Sequence, residues 1–310
     1  MKAMRFHTHG GSDVLAYEEV DRPQAGPGQV VVAVAGTALN MLDVVIRAGL
    51  VTELFPVDLP HIPGFDVSGT VAEIGEGVTD WRAGDAVIAM LPFTGLGSSA
   101  EYVAVPADHL AAAPTSIPLA DAASLPVSGL TAWQALFENL ELASGQRLLV
   151  NGGGGALGGL AIQLAVRAGA KVTATASPAS REAVIEAGAE EIVDYTEKAV
   201  TEALAGQRFD AVLQLVRTTA EDTAALLDLI EDGGILAYAT VPASREPERG
   251  IRTSRVEVRS DATQLAELAA LVDAGELHLR ITDRRPLADL AQVHDLAFSG
   301  GLHGKIILTP

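Results

Sequence analysis

The segment 147–168 constrains the fold more than any other part of the sequence. It opens with the apolar stretch Arg147–Asn151, which predicts a buried strand, and continues into the run Gly152-Gly153-Gly154-Gly155-Ala156-Leu157-Gly158. Helix-forming residues fill 156–168, and Lys171–Ala176 then predicts a second strand. A strand, a glycine-rich turn, a helix and a strand in this order predict the first βαβ unit of a parallel sheet.

The spacing of the glycines within this turn indicates what the turn binds. Gly152, Gly155 and Gly158 lie three residues apart, directly after the predicted strand. Glycine lets the backbone turn tightly and come close to a pyrophosphate, while the N-terminus of the following helix offers N–H donors and a partial positive charge. We therefore predict a dinucleotide site. The alternative is a glycine-rich connection that only packs the helix against the strand.

The remaining pattern divides the chain into two kinds of structure. Up to residue 118, short strands alternate with Gly/Pro turns, which predicts a small barrel or sandwich. From 147 to 240, apolar strands alternate with helices, including a predicted helix at 220–230 and a predicted strand at 235–240. This alternation predicts a doubly wound parallel α/β sheet. A mixed tail beyond residue 250 contains a predicted helix at 263–274 and a last strand at 304–308.

The residues after the second strand of this sheet indicate which dinucleotide is bound. Where NAD-binding sheets carry an Asp or Glu for the ribose 2′-hydroxyl, this strand ends Ala174-Thr175-Ala176-Ser177, without an acid. Ser177, Ser180 and Arg181 suit a 2′-phosphate instead, so we expect NADPH as the cofactor. The alternative for Arg181 is a solvated helix residue. Lys305 is a further candidate for cofactor charge, with a solvent-facing lysine as its alternative.

Composition disfavours several classes of function. The net charge of −19 repels phosphate backbones and anionic lipids, so we expect neither a nucleic acid nor a membrane as partner. No apolar run approaches the ~20 residues of a membrane span. The start of the sequence, Met1-Lys2-Ala3-Met4-Arg5-Phe6-His7, shows no apolar core of a signal peptide. The absence of cysteine removes disulfides, thiolate zinc ligands and cysteine nucleophiles. We expect a cytoplasmic protein.

Several segments, taken in order, resemble the zinc-free quinone oxidoreductases of the medium-chain dehydrogenase/reductase superfamily. They span nearly the whole chain: Leu39-Asn40-Met41-Leu42-Asp43 with Arg47-Ala48-Gly49, Pro63-Gly64-Phe65-Asp66-Val67-Ser68-Gly69, Gly84-Asp85-Ala86-Val87, Ala100-Glu101-Tyr102-Val103, Ser128-Gly129-Leu130-Thr131-Ala132-Trp133, the glycine turn and Gly304-Lys305. The resemblance implies a GroES-like β-barrel catalytic domain at residues 1–120 and 251–310. It also implies a Rossmann NADP-binding domain at 121–250 and a homodimer.

The same resemblance implies that no metal is bound. The zinc-using branch has Gly-His-Glu where this chain has Gly64-Phe65-Asp66, and it adds a four-cysteine loop that is missing here. Of the histidines, only His7 and His9 have ligand spacing, and they precede Gly10-Gly11 in a predicted surface turn. The others are His61, His109, His278, His294 and His303.

By resemblance, the site residues fall into two groups. The cofactor contacts are Asn40, Thr131, Gly152, Gly155, Ala156, Leu157, Gly158, Ser177, Ser180, Arg181, Tyr195, Thr240 and Lys305. The candidate catalytic donors are Asn40, Arg47 and Thr131. Asn40 is the favoured donor; the alternative is that it only stabilises a turn. Asp43 is expected to anchor its loop against Arg47. The alternative for Tyr195 is ordinary packing at a strand end.

The chemistry that these features imply is hydride transfer from NADPH to a small electron acceptor, a quinone or an α,β-unsaturated carbonyl, without a metal. A hydrogen-bond donor would stabilise the developing phenolate or enolate. Two departures from the family pattern leave alternatives open. The stretch 44–51 has no tyrosine, and Gln214–Thr219 stands where the family often has Asp followed by Gly-Gly. The alternatives are an enoyl or polyketide-tailoring reductase and a catalytically silent NADPH-binding sensor.

Overall fold

The protein is described here by a computed structural model that covers residues 1–302 and 304–310. Its strands are, in chain order, β1 (Lys2–Phe6), β2 (Leu15–Glu19), β3 (Gln29–Ala38), β4 (Asp66–Ile74), β5 (Ala86–Met90), β6 (Tyr102–Pro106), β7 (Leu110–Ala112), β8 (Arg147–Asn151), β9 (Lys171–Ala176), β10 (Glu191–Asp194), β11 (Phe209–Gln214), β12 (Ile230–Tyr238), β13 (Arg252–Arg255), β14 (Ile281–Pro286) and β15 (Lys305–Thr309).

The helices complete the description of secondary structure. The α-helices are α1 (Met41–Arg47), α2 (Pro126–Gln134), α3 (Ala156–Arg167), α4 (Arg181–Glu186), α5 (Val200–Ala203), α6 (Ala220–Ala225), α7 (Ala262–Asp273) and α8 (Leu290–Phe298). Short 3-10 helices lie at Ser12–Val14, Ala107–His109, Leu119–Ser124, Leu226–Leu229 and Leu287–Asp289, and a π-helical turn lies at Ala135–Asn139.

The chain divides into two compact units. Unit 1 comprises Met1–Val127 and Ser260–Pro310, and unit 2 comprises Ser128–Arg259. The boundaries that we expected, at 120/121 and 250/251, lie a few residues before these. The first observed boundary falls inside α2 and the second falls between β13 and α7.

Unit 2 is a doubly wound parallel sheet with the strand order β10-β9-β8-β11-β12-β13. Each neighbouring pair in that order is parallel. Numbered from β8, this is the order 3-2-1-4-5-6 of dinucleotide-binding sheets, in which the strand order reverses between the first and fourth strands. The core strands are apolar because helices cover the sheet: Leu148, Leu149, Val150, Val212 and Leu213 are fully buried.

A glycine marks each end of helix α3. Gly155 is its N-terminal cap residue, in an extended conformation. At the other end Gly169 has a φ of +85°, and its N–H donates to the carbonyl of Val166 at 2.9 Å. A left-handed residue after the last turn is the usual way to end a helix, and glycine adopts it without a steric cost. The helix therefore has the length that the sequence predicts.

Unit 1 is built on a mainly antiparallel sheet, and it has the GroES-like topology that was expected from resemblance. The strands follow the order β14-β15-β3-β4-β5-β7, and β6 also pairs with β3. The strand β3 pairs with β4, β6 and β15 along its ten residues, so it links all three of these strands. The core between the strands consists of buried valine and leucine side chains, among them Val30, Val32, Val67, Val87 and Val105.

One predicted helix was too long. The sequence predicts a helix at 220–230, whereas α6 ends at Ala225 and the next residues form a 3-10 turn before β12 begins at Ile230. The guanidinium of Arg249 explains this change, because it donates to the carbonyls of Leu227 and Ile230 at 2.9 Å each. The apolar residues of this stretch are buried, and two of its carbonyls are bound by a side chain from a distant loop.

Within the described residues, no helix combines the length and the apolar composition that are needed to cross a bilayer.

Candidate active site

The glycine turn of unit 2 has a conformation that other residues would not tolerate. Gly152 has a φ of +107°. A Cβ on Gly158 would lie only 2.1 Å from the carbonyl oxygen of Gly152, and one on Gly153 would lie 2.9 Å from the Cβ of Ala174. The backbone is thus packed too closely for side chains, and the first turn of α3 presents N–H groups that have no partner within the helix. This geometry is that of a phosphate-binding helix N-terminus.

A chain of hydrogen bonds fixes this turn to the centre of the sheet. The N–H of Gly152 donates to the hydroxyl of Thr175 at 2.8 Å, and that hydroxyl donates to the side-chain oxygen of Asn151 at 2.9 Å. The amide of Asn151 in turn donates to Oε1 of Gln214 at 2.8 Å, which also accepts from the N–H of Val216 at 3.3 Å. The chain joins the carboxyl ends of β9, β8 and β11 at the point where the strand order reverses. The sequence did not indicate these roles for Asn151, Thr175 and Gln214.

The residues expected around a 2′-phosphate gather beside the glycine turn. The hydroxyl of Ser180 lies against Gly154, since a Cβ there would come within 2.3 Å of it, and it accepts from the N–H of Ser177 at 3.1 Å. Arg181 is the first residue of α4 and is exposed. Tyr195 follows β10 and is 54% exposed.

Two threonines complete the predicted contacts within unit 2. Thr240 lies just after β12, is exposed, and its hydroxyl donates to the carbonyl of Val216 at 2.9 Å. Thr131 lies within α2 and is 7% exposed. The predicted residues Ser177, Tyr195 and Thr240 follow β9, β10 and β12, so they share the carboxyl edge of one parallel sheet with the glycine turn.

Unit 1 holds a buried charged cluster around Lys305. The ammonium of Lys305 donates to Oδ2 of Asp66 at 3.0 Å, to Oδ1 of Asn40 at 2.6 Å and to the carbonyl of Leu39 at 3.3 Å. Lys305 is 5% exposed and Asp66 is fully buried. Because Lys305 is buried, the alternative of a solvent-facing lysine, which the sequence left open, is excluded. All three N–H groups of the ammonium are used within the cluster.

The same cluster fixes the orientation of the Asn40 side chain. Its Nδ2 donates to Asp66 at 2.8 Å and to the carbonyl of Ala38 at 3.3 Å, while its oxygen accepts from Lys305. An ammonium only donates and a carboxylate only accepts, so the amide cannot be turned round. In this arrangement both N–H groups of Asn40 are taken, and the predicted donation from Asn40 to a substrate oxygen stays a prediction.

Asp43 anchors the loop through backbone groups. Its two carboxyl oxygens accept from the N–H of Asn40 at 2.9 Å and from the N–H of Gly64 at 2.8 Å. Burial raises the pKa of Asp43 to about 7, although these two hydrogen bonds act in the opposite direction. The expected pairing with Arg47 was wrong: Arg47 donates to the carbonyl of Gly10 at 2.8 Å instead. Two backbone N–H groups satisfy the carboxylate of Asp43, while the guanidinium four residues along the helix is bound by the carbonyl of Gly10.

Arg47 is packed away from the Lys305 cluster. It is 3% exposed, and its pKa is lowered mainly by burial. The charge of Arg47 also helps to lower the pKa of the buried His294 to about 3, although burial is the main cause. The structure therefore brings Asn40 and Lys305 together but leaves Arg47 beside α8.

Three aromatic rings, of which the sequence pointed only to Phe65, form an apolar wall next to Asp66. The ring of Phe93 packs edge-to-face on Phe65 at 4.9 Å and on Phe55 at 5.6 Å between centroids. Phe65 occupies the position at which the zinc-using branch has its histidine. The hydrophobic spacing around Phe55 and Phe93 is irregular, so only the folded chain shows that these rings meet.

Within residues 1–302 and 304–310, no group of three or more His, Cys, Asp or Glu side chains is placed to hold a metal ion. The imidazole of His7 instead pairs with Glu18 at 2.7 Å, and His9 contacts the carbonyl of Ile46 at 3.0 Å. His303 lies outside the described residues.

Comparison with known proteins defines the class of this chain. The model of the alcohol dehydrogenase GroES-like domain matches residues 26–115, and the model described as zinc-binding dehydrogenase matches residues 187–308. These two models place the chain among the alcohol dehydrogenase-like proteins.

Individual relatives narrow the class. The chain is 31% identical to an NADPH-dependent alkenal/one oxidoreductase of Arabidopsis thaliana, covering all of this chain and 80% of that protein. It is 29% identical to a chloroplast envelope quinone oxidoreductase homolog of the same plant, covering 100% and 98%. The quinone oxidoreductase of Coxiella burnetii superposes with a TM-score of 0.91 at 28% identity, covering 100% and 99%. The chain belongs to the quinone oxidoreductase-like family of the medium-chain dehydrogenase/reductase superfamily.

Proposed function

We propose that this chain is an NADPH-dependent reductase that transfers hydride to a quinone or an α,β-unsaturated carbonyl without a metal. The observation that carries the proposal is the glycine turn at the reversal point of the parallel sheet, where Gly158 packs directly against Gly152. The names of the relatives, which include quinone and NADPH-dependent alkenal/one oxidoreductases, support the same reaction.

The residues of unit 2 fit the cofactor. The turn 152–158 is packed so closely that a Cβ at Gly158 would collide with the carbonyl of Gly152, and the N-terminus of α3 that follows it would hold the pyrophosphate. Ser177, Ser180 and Arg181 would hold the 2′-phosphate, since an arginine and two hydroxyls provide donors where a carboxylate would repel it. When bound, the dihydronicotinamide supplies the hydride.

The residues of unit 1 would orient and shield the acceptor. Every polar atom of the buried Lys305 and Asp66 side chains is engaged, so this cluster fixes the loop of Asn40 rather than offering a mobile ligand. The edge-to-face rings of Phe55 and Phe93 form an apolar surface that suits a flat, apolar acceptor. With Phe65 at the position of the zinc-branch histidine, and Asp66 already paired with an ammonium, the donors that a zinc ion needs are missing at this place.

The proposal is tested by following the absorbance of NADPH at 340 nm with a panel of small quinones, enals and enones. We expect oxidation of NADPH that depends on the acceptor and is faster than with NADH. Tight binding of NADPH with no turnover on any acceptor would instead support the sensor alternative. If the wild-type protein did not bind NADPH at all, both the proposed function and the sensor alternative would be contradicted.

A matched pair of variants tests the turn itself. A Cβ on Gly158 would collide with the oxygen of Gly152 at 2.1 Å, whereas the adjacent Gly159 has no neighbouring atom within 4 Å. Gly158→Ala should therefore weaken NADPH binding by at least roughly 100-fold, because the turn must open. Gly159→Ala should bind NADPH as the wild type does. Equal binding by both variants would show that the turn does not hold the cofactor.

Two parts of the proposal concern the cell and the assembly. We propose a homodimer formed through the parallel sheet, whose β13 leaves an exposed strand of mainly polar residues at one edge. Light scattering after size exclusion tests it, with a mass of one chain as the contradicting result. We also propose a cytoplasmic location. The two plant relatives are named as chloroplast proteins, so cell fractionation is needed to test this part of the proposal.

A further inference from the structure

The end of β10 places an acid beside the site proposed for the 2′-phosphate. In the parallel pairing of β10 with β9, Asp194 is the register partner of Ala176. Neighbouring strands lie about 4.8 Å apart, so the backbone of Asp194 is one strand spacing from the residue after which Ser177, Ser180 and Arg181 follow. Residues 177–180, which directly follow β9, include no acid, but the fold brings one to the same edge from the next strand.

The carboxylate of Asp194 is held in place and kept charged. Its Oδ1 accepts from both the N–H of Thr196 at 2.9 Å and the hydroxyl of Thr196 at 2.6 Å. These two hydrogen bonds, together with the nearby charge of Arg181, lower the pKa of Asp194. Asp194 is therefore ionised throughout the pH range in which an NADPH reductase would be assayed.

Arg181 and Asp194 have opposite effects on a 2′-phosphate. The phosphate carries about −1.5 to −2 charges at neutral pH, as other phosphomonoesters do. The guanidinium of Arg181 would attract the phosphate, whereas the carboxylate of Asp194 would repel it. With Asp194 beside it, the two charges cancel in part, and a bound phosphate gains less from the site.

We propose that Asp194 is a specificity-determining residue that reduces the preference of this protein for NADPH over NADH. The inference rests on the proposed function, because it takes the 2′-phosphate to lie beside Ser177 and Arg181. The enzyme thus discriminates between the two cofactors less sharply than its arginine alone would allow. NADH has no 2′-phosphate, so we expect the charge of Asp194 to leave the dissociation constant of NADH unchanged.

The size of the effect follows from the charges. A unit charge about 8 Å from a phosphate of about −1.5 charges, in a medium with an effective dielectric constant between roughly 40 and 80, changes the binding constant by about four- to fifteen-fold. Salt at 0.15 M screens part of this, because the Debye length is then about 8 Å. We expect a change of about five-fold at low ionic strength.

The experiment compares Asp194→Asn with Glu190→Gln in the full-length protein. Asn keeps the side-chain oxygen that accepts from Thr196 and removes only the charge. Glu190 is an exposed acid just before the amino end of β10, about 13 Å along the strand, so its removal is a matched change of net charge at the opposite edge of the sheet. The dissociation constants of NADPH, NADH, 2′,5′-ADP and 5′-AMP are measured by calorimetry at two salt concentrations.

The expected result is specific to the 2′-phosphate. Asp194→Asn should bind NADPH and 2′,5′-ADP about five-fold more tightly than the wild type, with a smaller gain at high salt, and should bind NADH and 5′-AMP unchanged. Glu190→Gln should change none of the four. The inference is overturned if Asp194→Asn leaves NADPH binding unchanged, if all four ligands shift together, or if Glu190→Gln gives the same shift.

The two proposals fail in different ways. Wild-type protein that binds NADPH but reduces no acceptor contradicts the proposed function and leaves the binding comparison intact. Wild-type protein that turns over NADPH, with a variant that shows no selective gain, contradicts only the role of Asp194.

Discussion

The carboxyl group of Asp43 is expected to make unit 1 less stable as the pH rises from about 4 to about 7. Asp43 is 2% exposed, and burial raises its pKa to about 7 from an ordinary value of 3.8. In this interval the folded protein keeps the proton while the unfolded chain releases it, so folding is progressively disfavoured. At about 1.4 kcal/mol per pKa unit, the stabilisation lost by pH 7 is about 4 kcal/mol.

The substitution that isolates this effect is Asp43→Asn. An amide has one acceptor oxygen, so it satisfies either the N–H of Asn40 or that of Gly64, and its NH₂ group faces the other. The unsatisfied donor should cost about 1–3 kcal/mol at pH 4.5. Since the amide does not titrate, this deficit should shrink with pH, and the variant should equal or exceed the wild type in stability by pH 8.

Tryptophan fluorescence can follow unit 1 alone. The two tryptophans of the chain lie in different units, Trp81 in unit 1 and Trp133 in unit 2. In a Trp133→Phe background, urea unfolding followed by Trp81 gives the free energy of unfolding between pH 4.5 and 8. The difference between variant and parent also removes the contribution of His61, whose lowered pKa of about 4 gives the opposite pH dependence. Parallel profiles for the two proteins would refute the argument.

Three further predictions follow from the cluster, the core and the cofactor site. Lys305→Met leaves Asp66 buried without a counter-charge and should cost about 3–5 kcal/mol in urea unfolding, of which Asp66→Asn in the same protein should recover part; additive losses would contradict the pairing. Neither ring nitrogen of the fully buried His294 has a hydrogen-bond partner among the described residues, so His294→Leu should raise the free energy of unfolding by about 1 kcal/mol at pH 7. This gain should grow as the pH falls from 6.5 towards 3, because the folded state holds the histidine neutral with a pKa of about 3. A difference in the free energy of unfolding that stays constant over this pH range would contradict the prediction. Arg181→Glu should raise the Kd of NADPH by roughly 30-fold or more and that of NADH by less than about three-fold, whereas equal losses would show that Arg181 does not recognise the 2′-phosphate.

Much of unit 2 was predictable because its signals are local. The strands β8 and β9 and the start of α3 lie where the sequence predicts them, since apolar runs beside glycines define a buried parallel strand and its turn. The helix at 220–230 was wrong at its end because the carbonyls of Leu227 and Ile230 are bound by Arg249, about twenty residues later. No local pattern contains that information.

The candidate site shows the same division. The glycine turn and the residues after β9 could be predicted from the sequence, because residues that are close together along the chain are also close together in these turns. The pairing of Lys305 with Asp66 joins residues that are 239 positions apart, and the sequence left open whether the lysine faces solvent. The chain of Asn151, Thr175 and Gln214 was likewise invisible, since it depends on three strands lying side by side.

The sequence by itself determined a dinucleotide-binding turn, the absence of cysteine ligands and the absence of an acid at the end of β9. Only the tertiary structure decided that the amide of Asn40 is held between Lys305 and Asp66, that burial raises the pKa of Asp43 to about 7, and that Asp194 stands beside Ala176. The physical reason is that hydrogen-bond direction, burial and charge depend on which strands and loops are neighbours. Strand order and register set those neighbours, and a sequence read from one end to the other contains neither.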